Sequence, residues 1–137
     1  RNVLYLYITK NQLNMSTFVS SRIAKYIFAV VMATFGILHF VYGQGMTSMV
    51  PAWIPFEPIY WVYFTGAALI AYGIAVLINN KYQKIAGYLL AVMFFLFVIL
   101  VHMPQMNTNT MALPLMLKDI AMAFAAIFIA NSMDEED

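Results

Sequence analysis

The chain has 137 residues, room for a single domain, and 64% of them are hydrophobic while only 9% are charged. Soluble domains carry roughly a quarter charged residues, so a surface that faces water all round is excluded. A formal charge of +1 leaves no basis for a nucleic-acid partner, and the lack of cysteine excludes disulfides, Cys-held metals and a thiol relay within the chain.

In chain order, residues 1–22 lack a clean apolar run. Met15 reads as the natural start, with residues 1–14 an extension; the other reading is an amphipathic helix on the membrane surface. A cleaved signal peptide is not expected, because the first long apolar run is long enough to span and leads into more spans. A spanning helix needs about 20 apolar residues, and the runs 23–43, 58–78, 82–103 and 111–131 meet or approach that length. The connection 79–81 is so short that its flanking helices must be antiparallel neighbours. The expected fold class is therefore all-α, an integral membrane four-helix up-down bundle over residues 23–131, followed by an acidic tail at 132–137.

Orientation follows from the basic residues. Arg1, Lys10, Arg22 and Lys25 precede the first span and Lys81 and Lys84 sit at the second turn, leaving only Lys118 elsewhere. Both termini are expected in the cytoplasm, with residues 44–57 and 104–110 outside. The stretch MVPAWIPFEPIYWVYFTG (Met49 to Gly66) then caps the outer face. Pro51, Pro55 and Pro58 have no backbone donor to leave unpaired near lipid. Pro58 suits the first turn of the second helix, with Glu57 near that helix's positive end. Trp53, Tyr60, Trp61 and Tyr63 fit an interfacial belt, with Trp53 held over the bundle mouth as a partial lid.

Small residues at helical spacing let membrane helices approach closely. The expected packing stripes are Ala29, Ala33 and Gly36 on the first span, Ala67, Ala71 and Ala75 on the second, and Ala121 and Ala125 on the fourth. Phe94, Phe95 and Phe97 on the third are expected to present surface to lipid.

Beyond the basic residues of the cytoplasmic face and the acidic tail, the ionisable groups are His39, Glu57, His102, Lys118 and Asp119, all in the expected outer half. Asp119 is the hardest to explain as surface. It lies roughly 10 Å into the fourth span at about 1.5 Å per residue, and a carboxylate there costs on the order of 3 kcal/mol. It shares a helix face with Ala112, Ala123 and Ala126, the side expected to pack inward, so Asp119, His39 and His102 are expected to converge on one polar pocket. Lys118 is expected to snorkel outward. The bland alternatives are headgroup-level histidines and a simple helix cap at Glu57. No pair has the Glu-x-x-His or His-x-x-x-His spacing of helical metal sites, so no metal is expected. A haem between His39 and His102 lacks an arginine for its propionates.

The run FGILHFVYG, then MVPAWIPFEPIYWVYFTGAALIAYGIAVLI, then VHMP and LKDIAMAFAAI resembles the DoxX-like family of small bacterial membrane proteins. The resemblance covers nearly all of residues 23–130. It rests on the order and spacing of Gly36 with His39, Pro51-x-Trp53, Trp61-Val62-Tyr63-x-Thr65-Gly66, His102 with Pro104, and Lys118-Asp119. It implies a four-helix protein of the bacterial cytoplasmic membrane, in a family linked to quinone-reducing subunits of thiosulfate oxidation and to oxidant and thiol defence.

The expected function is a membrane subunit of a redox-linked system with an outward-facing polar pocket for a quinone or similar small amphipathic molecule. His39, Glu57, His102, Lys118, Asp119 and Trp53 are its candidate ligand-binding residues. At most the chain is an oxidoreductase subunit acting with a partner, since it brings no electron carrier of its own. The alternative is a non-enzymatic accessory or assembly subunit of a larger membrane complex. Either way its partners are the bilayer and other membrane or redox-complex subunits.

Overall fold

A computed structural model describes residues 3–4, 19–79 and 81–132. The reading of Met15 as the start lies outside the described residues, as does the expected acidic tail at 132–137 apart from Ser132, which ends the last helix. Within them the chain is all-α, with no strand. Four helical stretches are long and apolar enough to cross a membrane: Ser21–Val41, Pro58–Leu77, Gln83–Gln105 and Ala112–Ser132. Their outward faces carry large apolar side chains, among them Ile27, Phe64, Leu89 and Phe128. That pattern fits a multi-pass membrane protein.

Helix α1 (Ser21–Val41) starts where the Ser20 side-chain oxygen accepts from the Arg22 backbone N–H at 3.3 Å. Lys25, counted among the cytoplasmic charges, is instead buried within this helix, only 3% exposed, with its ammonium 5.4 Å from the Tyr26 ring centre. Helix α1 gives way to a one-turn helix, Gly43–Met46, and a 3₁₀ turn, Thr47–Met49. Helix α2 (Pro58–Leu77) opens with Pro58 in its first turn and Glu57 at the N-cap, where the Glu57 side chain makes no capping bond. It stops because Asn79 takes a left-handed φ of 50°, which asparagine tolerates better than most residues. The Gln83 side chain then donates to Asn79 Oδ1 at 3.0 Å and closes the turn into α3 (Gln83–Phe97). Helix α4 (Ala112–Ser132) follows the 104–110 connection.

Helices α1 and α2 pack antiparallel, since Gly36 lies against Gly66 and Ile70 while Ala29 and Ala33 lie against Gly73. The approach is backbone to backbone: a Cβ built on Gly36 would stand 2.6 Å from the Gly66 carbonyl oxygen. The expected alanine stripe on α2 is not the packing face. Ala67 and Ala71 are exposed, and the buried residues are Val62, Gly66, Leu69, Tyr72, Gly73 and Val76. Glycine at a seven-residue spacing, about two helical turns, sets the contact.

Helices α3 and α4 also run antiparallel: Gly87 faces Ala126 and Ala130, while His102 meets Asp119. On α4 the inward face is Ala112, Asp119, Ala123, Ala126 and Ala130, whereas Ala121 is exposed. Phe94, expected toward lipid, is 4% exposed and packs in a core shared by all four helices, with Ala29, Met32, Tyr72, Leu90 and Ala126. The outward side of α3 is Ile85, Leu89, Val92 and Leu96.

Candidate functional site

Past Phe97 the third span changes winding. Val98–His102 forms a π turn and Met103–Gln105 a 3₁₀ turn. Pro104 supplies the physical reason: it has no N–H for the carbonyl of Leu100, and its ring crowds that carbonyl. The wider turn changes what faces inward. In an unbroken α-helix, at about 100° per residue, His102 would lie roughly 80° around the axis from Phe94. Instead Phe94, Val98 and His102 are all buried on one side.

That placement brings His102 onto Asp119. Nε2 of His102 donates to Oδ2 of Asp119 at 2.8 Å, and the carboxylate is only 2% exposed. An ionised carboxylate can only accept, so the proton between the two groups is carried by Nε2. The other carboxylate oxygen, Oδ1, is buried and lies 3.0 Å from the Lys118 ammonium. That contact is an ion pair, with no directed hydrogen bond to Oδ1. Lys118, expected to snorkel away, has a half-exposed side chain whose head remains over its neighbour. Asp119 thus sits between an imidazole N–H on α3 and an ammonium on its own helix, one at each carboxylate oxygen. Removing either partner would leave a buried charge less compensated, which is the expensive outcome.

The remaining candidates lie apart from this pair. Nδ1 of His39 donates to the Phe35 carbonyl at 2.7 Å, and the His39 side chain rests against Gly66 in the α1–α2 contact. Among the described residues, His39 is not a hydrogen-bond or ion-pair partner of Asp119. The three-residue pocket expected from the sequence is therefore, as direct contacts, a His102–Asp119–Lys118 cluster. Trp53 is 67% exposed in the turn before α2, and Glu57 is exposed. The proline segment that carries them is tied down by Trp61, whose Nε1–H donates to the Pro55 carbonyl at 2.7 Å, and Phe56 adopts a left-handed φ of 71° beside it. No group of three or more His, Asp or Glu side chains with metal-holding geometry occurs among the described residues.

Sequence reasoning missed two polar features. One is the burial of Lys25. The other is a hydrogen bond from the Tyr88 hydroxyl to the Asn131 side chain, which joins α3 to α4 at the end away from His102. An asparagine and a tyrosine at opposite ends of two apolar runs were the available signal.

A family model described as a domain of unknown function (DUF8561) matches residues 28–127, and the chain belongs to that family. The matched region contains His39, Trp53, Glu57, His102, Lys118 and Asp119. No curated protein matches the chain, and no solved structure does.

Proposed function

We propose that this member of the DUF8561 family is an up-down four-helix bundle of the bacterial cytoplasmic membrane. Both termini lie inside, and it serves a redox-linked system by binding a quinone or similar amphipathic molecule. The observation that carries the reading is Asp119 Oδ1, a buried carboxylate oxygen that makes an ion pair with Lys118 and no directed hydrogen bond. Buried acceptors are ordinarily satisfied, and a quinol hydroxyl would satisfy this one. The ammonium of Lys118 is half-exposed at the same oxygen; its flexible stem can swing to admit a ligand and donate to a carbonyl oxygen. His102 holds the carboxylate in place from the other side. Proton exchange between a quinol hydroxyl and Asp119 is general acid–base chemistry, while the electrons would go to a partner subunit. The resemblance to DoxX-like proteins, in the order of motifs from Gly36 to Asp119, supports the same reading.

The test is purification of the full chain in mild detergent from quinone-containing membranes, followed by native mass spectrometry. The wild-type protein is expected to retain a quinone, Asp119→Asn to lose it while keeping its helical content, and Lys118→Gln to lose less. A wild-type protein that stays empty when quinone is supplied in excess would overturn the reading.

A second reading has one observation in its favour. The His102–Asp119 pair joins α3 directly to α4, and such a pair can serve only to fix how helices meet. In that case the chain is an accessory subunit, recovered colourless and empty with one larger membrane complex.

A further inference from the structure

The end of the bundle away from His102 collects cations. There α1 begins, α2 ends, α3 begins and α4 ends, since each helix runs antiparallel to the next. Arg22 and Lys25 lie in the first turns of α1, Lys81 in the turn before α3, and Lys84 in the first turn of α3. Lys25 is the unusual member, because it is only 3% exposed. A buried ammonium is costly unless an opposite charge meets it. The Tyr26 ring, 5.4 Å away, offers only the weak attraction of an aromatic face.

The sequence contains six acidic residues. Two belong to the opposite end: Glu57 opens α2, and Asp119 is engaged with His102 and Lys118. The other four, Asp134, Glu135, Glu136 and Asp137, run consecutively just beyond Ser132, where α4 ends. The bond from Tyr88 to Asn131 fixes that exit beside the start of α3. An extended chain covers about 3.5 Å per residue, so residues 134–137 can reach from about 7 to about 17 Å beyond Ser132. Packed helix axes lie about 8–10 Å apart, so even a diagonal crossing of the bundle is within that reach. The fold also leaves a seam for such a crossing to close. Each helix packs on the next one in the chain, but the backbones of α1 and α4 scarcely approach each other.

We propose that residues 134–137 are an acidic latch, whose carboxylates are the counter-ions of Arg22, Lys25 and Lys84 and tie the end of α4 to the start of α1. No other acidic residue of the sequence belongs to this end. The latch closes the α1–α4 seam by charge where the other helix contacts close by packing. It does not rest on the quinone reading, which concerns the opposite end.

Two measurements on the full chain test this, both in a non-ionic detergent free of anionic lipid. A carbodiimide joins a carboxylate directly to an amine that touches it. Mass mapping of the treated monomer should find residues 134–137 bonded to Lys25 or Lys84 and not to Lys118. Thermal unfolding is the second measurement. Asp134→Asn/Glu135→Gln/Glu136→Gln/Asp137→Asn should lower the midpoint by on the order of 5 °C, as Lys25 loses its counter-charge. Adding Lys25→Met to that variant removes the buried charge and should recover most of the loss. Phosphatidylglycerol, whose phosphate can take the same place, should then stabilise the neutralised variant more than the wild type. A segment that couples to no lysine of this end, a neutralised variant with an unchanged midpoint, or equal gains from the lipid would overturn the proposal.

Discussion

The two antiparallel helix pairs are joined by opposite means. Helices α1 and α2 meet through Gly36, Gly66 and Gly73, where backbones touch and even a methyl group would collide. Helices α3 and α4 meet through alanines, but polar contacts clasp both ends, Tyr88 with Asn131 at one and His102 with Asp119 at the other. In a bilayer, where apolar side chains gain little by leaving lipid, close packing and interhelical hydrogen bonds are the two available devices. One pair uses the first and the other uses both. The pair clasped by polar contacts is the one in which we place the ligand site.

The largest expected effect breaks the clasp on one side only. His102→Leu leaves the Asp119 carboxylate buried with Lys118 alone, and unfolding in detergent should show a loss of roughly 3 kcal/mol. The double substitution His102→Leu/Asp119→Leu removes both polar groups and should recover much of that loss. A double variant as unstable as the single one would show that the pair is not energetically coupled.

A smaller effect tests the glycine contact. At Gly66 an added Cβ would lie 2.8 Å from the His39 side chain and 2.9 Å from the Gly36 carbonyl oxygen. Gly66→Ala should therefore cost about 1–3 kcal/mol by overpacking, measured by the same unfolding. Its neighbour Ala67 is exposed, so Ala67→Leu should change little; equal effects at both positions would contradict the assigned face. The smallest effect belongs to the other clasp: Tyr88→Phe removes one hydroxyl and should cost about 1 kcal/mol, with no change in ligand retention.

The helical spans and the inward face of α4 were legible because long apolar runs and the spacing of Ala112, Asp119, Ala123 and Ala126 are strong periodic signals. The face of α2 was not, because alanines and glycines alternate around that helix and smallness alone does not say which side turns inward. Phe94 was misplaced for a related reason: in a chain whose lipid-facing residues are as apolar as its core, hydrophobicity loses its directional meaning. Within the site, the need for Asp119 to find a donor was readable from its cost. That His102 would supply it, and His39 would not, depended on the π turn, which leaves no local signature beyond Pro104. Lys25 looked like a surface charge because it follows Arg22 at the start of the first span, and only packing reveals it as interior.

The π turn at Val98–His102 makes the third helix tolerant of indels in one direction only. Such a turn accommodates one extra residue without altering the phase of the helix beyond it. Deleting Ile99 would leave seven residues from Phe94 to the histidine, about 700° of α-helix and so within roughly 20° of two full turns. The shortened helix could wind regularly and still aim its imidazole at Asp119, so it should fold and unfold in detergent much as the wild type does. Inserting an alanine at the same place finds the slack already used; it should swing the imidazole off the carboxylate and behave like His102→Leu on unfolding. Lineages of this family are accordingly expected to differ by loss of a residue here more often than by gain.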